Sequence, residues 1–176
     1  MLISEEDELL LKRTEELSKQ INVDQAESFS EEKEFFSFSI NKIKYAMEKF
    51  YITELHPSVS PKKVPFTPNY IRGIVNIRGE ILSVMDLALF FDKKPIEKKD
   101  DYQMIRMKNN KIEFGVLVDT ISSVIYLKNK DILPFSVSDN QNFKKFVLGI
   151  TTENVHIINA NTFFSDPKII IDEVVS

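Results

Sequence analysis

Cysteine and tryptophan are absent from this 176-residue sequence, glycine occurs only four times, and two histidines are present. Without cysteine there are neither disulfides nor thiolate metal sites. The four glycines, Gly73, Gly79, Gly115 and Gly149, show neither the G-x-G-x-x-G nor the P-loop spacing that cradles phosphate. No uninterrupted apolar run approaches the ~18 to 20 residues of a membrane-spanning helix, which excludes direct membrane insertion. The acidic stretch Met1 to Glu8 lacks the basic region and apolar core of a secretory signal, so a cytoplasmic protein is expected. His56 and His156 stand 100 residues apart in no metal-ligand pattern, and no serine lies in G-x-S-x-G. Asp86 and Asp119 each end an apolar run, where capping or turn formation is the common role. No catalytic set can be assembled, and the expectation is a protein without enzyme activity, metal or cofactor.

What is present is apolar and unevenly charged. Hydrophobic residues make up 43% and charged residues 28%, which suits one compact domain or two small coupled ones. Residues 1–34 hold 11 Asp and Glu against 4 Lys and Arg, a net of −7, so the whole-chain net of −4 leaves +3 for the rest. A body this mildly basic, with no Lys/Arg stripe, lacks the footprint of a nucleic-acid binder, and the acidic segment would repel one. That segment reads as a partly helical or disordered tail, with Leu10, Leu17 and Ile21 on a narrow stripe.

From Phe35 the hydrophobic period becomes two. Phe36, Phe38 and Ile40 alternate with serines, Ile43, Tyr45 and Met47 alternate with Lys44 and Ala46, and Ile112, Phe114, Val116 and Val118 alternate again. These read as half-buried strands. Asn41-Lys42, Arg78-Gly79, Asn109-Asn110 and Thr152-Glu153-Asn154 supply hairpin turns between them, with Gly79 as the turn glycine that accepts positive φ. Short helices are expected at Phe50 to Leu55, Asp86 to Phe91 and Asn159 to Phe164. The other three glycines lie inside strand-like runs, where glycine marks a bulge, a bend or close backbone approach. The fold class is all-β, built of small barrels or sandwiches.

The body also repeats itself. Lys42 to Met47 lines up with Lys111 to Val116 at an offset of 69, which also carries Ile52 onto Ile121, Leu55 onto Val124, and Pro65-Phe66 onto Pro134-Phe135. Gly73-Ile74 matches Gly149-Ile150 after an insertion of seven residues, and Phe90-Phe91 matches Phe163-Phe164 after a deletion of three. Two copies of a small β unit, about 35–95 and 96–165, would each bury too little surface alone and should share a core. Arg78 stands at the tip of Ile74 to Gly79, and Glu54 is the only acidic residue of Phe50 to Leu55. A partly buried guanidinium there requires a carboxylate partner, which would make Glu54 and Arg78 a structural pair; the alternative is a solvent-exposed turn arginine.

Pro65-x-x-Pro68, then Tyr70-Ile71-x-Gly73-Ile74-Val75-Asn76-Ile77-Arg78-Gly79, then Ile81 to Val84 with Asp86-Leu87, and finally Gly115-Val116-Leu117-Val118-Asp119 resemble the CheW-like family of chemotaxis coupling domains. The resemblance covers about residues 35 to 165. It implies two intertwined SH3-like five-stranded barrels with a shared core, in a CheW-like domain of residues 35–170 behind the tail of residues 1–34. It further implies a non-catalytic adaptor that links the cytoplasmic hairpin of methyl-accepting chemoreceptors to the regulatory domain of the histidine kinase CheA, at polar membrane-associated receptor arrays. The family's receptor-binding groove maps onto Ile52, Glu54, Gly73, Arg78, Ile121 and Val124, and the bland alternative for Ile52, Ile121 and Val124 is simple core packing. Ser83 stands where the family commonly has proline, and the tail is longer than the coupling role requires. At 176 residues there is no room for kinase or receiver modules, so a stand-alone adaptor is expected. A small regulatory or ligand-binding β-barrel module remains the competing function class.

Overall fold

The computed structural model describes residues 32–135 and 140–169. The tail reading, with Leu10, Leu17 and Ile21, falls outside these residues except at its end, where Lys33 already opens the first strand. Ten strands follow among the described residues: β1 (Lys33–Ile40), β2 (Ile43–Glu48), β3 (Ile52–Val59), β4 (Ile71–Ile77), β5 (Glu80–Met85), β6 (Tyr102–Lys108), β7 (Glu113–Val118), β8 (Thr120–Leu127), β9 (Val147–Ile150) and β10 (Val155–Ile158). Three short helices accompany them: α1 (Leu87–Phe90), α2 (Gln141–Phe146) and α3 (Ala160–Phe164).

Local chemistry explains the joints. Asn41 and Lys42 both adopt positive φ between β1 and β2, as do Arg78 and Gly79 between β4 and β5, the geometry whose twist matches paired antiparallel strands. Asp86 is fully buried because its carboxylate caps α1, accepting from the Ala88 and Leu89 amides, and also accepts from the Ile96 amide at 3.0 Å. Asn159 caps α3 in the same manner, accepting from the Thr162 amide. Two expectations fail here. Phe50 to Leu55 is not helical: a single 3-10 turn, Lys49–Tyr51, leads into β3, whose backbone pairs with β6. Helix α2 was not expected, and it occupies the seven-residue insertion that the repeat required between Phe135 and Gly149.

The strands form two five-stranded sheets, ordered β8-β1-β2-β10-β9 and β3-β6-β7-β5-β4. Replacing each strand by its partner five places along the chain turns the first order into the second. Each sheet therefore takes two strands from one half of the sequence and three from the other. The crossing pairs are equivalent as well: β1 with β8 and β6 with β3 run antiparallel, while β2 with β10 and β5 with β7 run parallel.

One hydrophobic cluster spans both sheets, with Phe36, Phe38, Tyr45 and Met47 from one and Val84, Met104, Met107, Val116 and Val118 from the other. The helices carry the repeated phenylalanine pairs into this cluster, where Phe90 meets Phe163 edge-on at 5.4 Å between ring centroids. A smaller cluster of Phe35, Ala46, Val155 and Ile157 lies apart from it. The half-buried reading is corrected at β7, whose residues join the main cluster. In β7 every residue from Phe114 to Val118 is buried, and a side chain at Gly115 would collide with Met104.

Candidate partner-binding site

Four of the six predicted site residues lie on two equivalent strands. Ile52 and Glu54 belong to β3 and Ile121 and Val124 to β8, each the outer strand of its sheet. An outer strand faces neighbours on one side only, and all three aliphatic residues are partly buried, packed on the shared core yet reachable from outside. The core reading and the surface reading thus apply to the same side chains. Leu55 departs from its repeat partner Val124, being exposed where Val124 packs inward. The Ile121 amide donates to Gln103 Oε1 at 2.7 Å, which ties β8 to β6, the strand that pairs with β3.

The β4–β5 turn positions Arg78. Its φ is +54° and that of Gly79 is +93°, and the Gly79 amide donates to Asn76 Oδ1 at 2.8 Å. The Asn-x-Arg-Gly sequence is therefore a turn device, with asparagine closing the loop and the last two residues supplying the left-handed backbone. Gly73 serves a different need. With φ at +139°, a Cβ there would stand 2.1 Å from the carbonyl oxygen of Lys62, because residue 62 forms a two-way bridge with Ile74 at 2.8 and 2.9 Å. Gly149 repeats the arrangement under Leu133, which bridges to Ile150. Gly73 lets another segment lie across β4.

Glu54 and Arg78 stand together, with Oε1 and Nη1 3.6 Å apart. The Arg78 side chain is 83% exposed, so it is the solvent-facing turn arginine rather than the partly buried cation first expected. The shielded guanidinium belongs to Arg106 on β6, whose side chain is 12% exposed. Its Nε donates to Glu113 and its Nη2 to Glu80, both at 2.6 Å, while Nη1 lies 3.7 Å from Glu54. Glu54 also has His56 Nε2 at 3.1 Å. The hydrogen bond to Glu113, followed by that to Glu80, raises the Arg106 pKa further, and Arg106 in turn holds Glu113 below the usual glutamate range. Sequence reading missed Arg106, although one arginine inside the apolar run Met104 to Met107 was the available signal. Beside this lattice, a cleft of about 520 Å³ lined by Val59, Ile74, Ile77 and Ile81 opens between the end of β3 and strands β4 and β5.

Two interleaved SH3-like β-barrels with an aliphatic and charged rim define a β-barrel class of protein, with no side-chain group able to hold a metal ion among the described residues. The CheW-like domain family matches residues 34–168, and the chain belongs to that family of chemotaxis scaffold and adaptor proteins. It is 29% identical to the chemotaxis protein CheW of Helicobacter pylori over 127 residues, covering 71% of this chain and 75% of that protein. With the chemotaxis protein CheW of Thermotoga maritima it shares 25% identity over 151 residues, 84% of this chain and 87% of that one. The crystal structure of the scaffolding protein TtCheW from Thermoanaerobacter tengcongensis is similar at a TM-score of 0.65 and 30% identity, covering 78% of this chain and 96% of that one. Among the described residues no helix is long and apolar enough to cross a membrane.

Proposed function

We propose that the protein couples the cytoplasmic tips of chemoreceptors to the regulatory domain of the histidine kinase CheA, in the cytoplasm at polar receptor arrays. The receptor hairpin lies in a groove made by Ile52, Glu54, Gly73, Arg78, Ile121 and Val124. The observation that carries this reading is the presence of reachable aliphatic side chains on outer strands β3 and β8 together with an ion pair between Glu54 of β3 and the exposed Arg78 of the β4–β5 turn. A helical hairpin is gripped by a few buried aliphatic contacts and oriented by charge. The role needs no catalysis, metal or cofactor, and the isolated protein is expected to hydrolyse no nucleotide. The working division is a tail of residues 1–34 and a CheW-like domain of residues 35–170, composed of units 35–95 and 96–165.

The test is a double-mutant cycle on affinity for a receptor cytoplasmic fragment, using Glu54→Gln and Arg78→Gln. Charge reversal is a poor choice, since an arginine at 54 would face Arg106. Each single variant is expected to weaken receptor binding by about 1 kcal/mol with a coupling above about 0.5 kcal/mol, while melting temperatures stay near that of the parent. A coupling within about 0.3 kcal/mol of zero means that the two residues act independently. Failure of the parent protein to co-sediment with both receptor fragment and CheA removes the coupling role itself.

A further inference from the structure

A second cavity, of about 540 Å³, opens between the segment that follows β3 and the approach to β6, and none of the six groove residues lines it. Its wall is one-sided in charge, with Lys63, Arg72, Lys98 and Lys99 against a single carboxylate, Asp100. Asp119 engages Lys99 at 3.1 Å, whereas Lys63 and Lys98 enter no ion pair among the described residues.

Two donors in this wall are left unspent. Tyr102, which opens β6 and is 6% exposed, has its hydroxyl oxygen 3.0 Å from Arg72 Nη2 and 3.2 Å from the Lys99 amide nitrogen. Both partners can only donate, so the hydroxyl accepts from each of them. Its own proton meets no acceptor among the described residues, and a buried donor without an acceptor is unfavourable. Arg72 is in a similar state. One of its N–H groups serves Tyr102, and the buried Asp86 carboxylate stands 3.7 Å from Nη1, beyond hydrogen-bond length. That carboxylate holds the guanidinium in place and leaves its other N–H groups free for a ligand.

We propose that this cavity binds a small organic phosphate monoester. The phosphate oxygens accept from the Tyr102 hydroxyl and from the spare N–H groups of Arg72, while Lys63 and Lys98 supply the surrounding positive field. A dianion matches two unpaired lysines and a guanidinium whose counter-ion is out of hydrogen-bond reach better than a singly charged carboxylate does. Pro61, Pro68 and Ile71 add apolar wall, and the volume falls within the range of about 300 to 1,000 Å³ common for small-ligand sites. The organic body of the ester is therefore enclosed along with its phosphate.

The test is calorimetric binding of phenyl phosphate, inorganic phosphate and benzoate to the full-length protein, at constant ionic strength and about pH 7.5, where a phosphate monoester is mostly a dianion. Phenyl phosphate is expected to bind with a Kd of about 1 mM or below, about tenfold tighter than either comparison anion. Tyr102→Phe keeps the ring and removes the proton, and should weaken binding by about tenfold. Lys63→Gln combined with Lys98→Gln, two exposed side chains, should weaken it several-fold at an unchanged melting temperature, while Lys111→Gln on the β6–β7 turn leaves it unaltered. No saturable binding of phenyl phosphate overturns the proposal, and so does equal affinity for benzoate or for inorganic phosphate. An unchanged affinity in folded Tyr102→Phe overturns it as well. If that variant does not fold, the lysine pair decides: weaker binding supports the site, and unaltered binding overturns it.

Discussion

Arg106 and Lys93 show how differently the fold treats two cations. Arg106 is given three carboxylates, two of them at 2.6 Å, and its charge is fixed. Replacing it with methionine leaves Glu54, Glu80 and Glu113 facing one another, and a loss of about 1 to 3 kcal/mol at neutral pH is expected. Because Glu113 titrates below its unfolded value, its contribution is present above the usual glutamate range and is lost as pH falls through the folded pKa. The gap between parent and Arg106→Met in urea melts should therefore narrow in acid. Lys93 has rings instead of counter-ions, and its own pKa moves down where that of Arg106 moves up. Its folded pKa is about 8 against an unfolded value near 10.5, so the unfolded chain binds the extra proton between these values and stability rises with pH there. Tyr45, whose buried hydroxyl is raised above its usual value of 10, ends the gain, because the unfolded phenol ionises first. Thermal melts from pH 7 to 10 should show a rise that Lys93→Met does not.

At the scale of elements, identical substitutions separate two uses of glycine. A Cβ at Gly79 meets nothing within 4 Å and costs only left-handed backbone strain, so Gly79→Ala is expected to destabilise by about 1 to 2 kcal/mol. At Gly73 the same methyl group collides with the backbone of Lys62, which cannot swing aside without breaking its bridge to Ile74. Gly73→Ala should exceed about 3 kcal/mol and lower receptor binding with it. Equal losses in the two melting curves would refute the close-approach role. The strand alternation and the turn pairs were legible in the sequence because period and turn chemistry are local. The helical reading of Phe50 to Leu55 failed because pairing with β6, a long-range contact, overrode local preference.

For the whole molecule, interleaving has an energetic consequence. β3 finds its sheet neighbour only in β6, β2 needs β10, and the two phenylalanine pairs fill one cluster, so neither half possesses a closed sheet or a core of its own. A chain ending at residue 95 is expected to show no cooperative unfolding transition, whereas the full body should unfold in a single step with coincident circular dichroism and fluorescence curves. A stable, cooperatively melting half would contradict the shared-core account. Truncating Phe163, which contacts Phe90, Phe91, Phe114 and Phe146, should cost about 3 to 5 kcal/mol and destabilise both sheets together.

Periodicity and turn pairs were enough for the all-β class, since both are written in residues near one another along the chain, and the internal offset pointed to the duplication that the equivalent strand orders of the two sheets display. The offset even located α2, as an insertion without a stated structure. The sequence alone could not say that the halves exchange strands, because each half carries the same alternating pattern and pairs equally well on paper with itself or with its copy. Nor could it say that Arg106 rather than Arg78 is the shielded cation, or that Lys93 rests on the face of Phe143, 50 positions away. Burial and charge pairing depend on which distant segments arrive at a side chain, and that is decided only when the chain has folded.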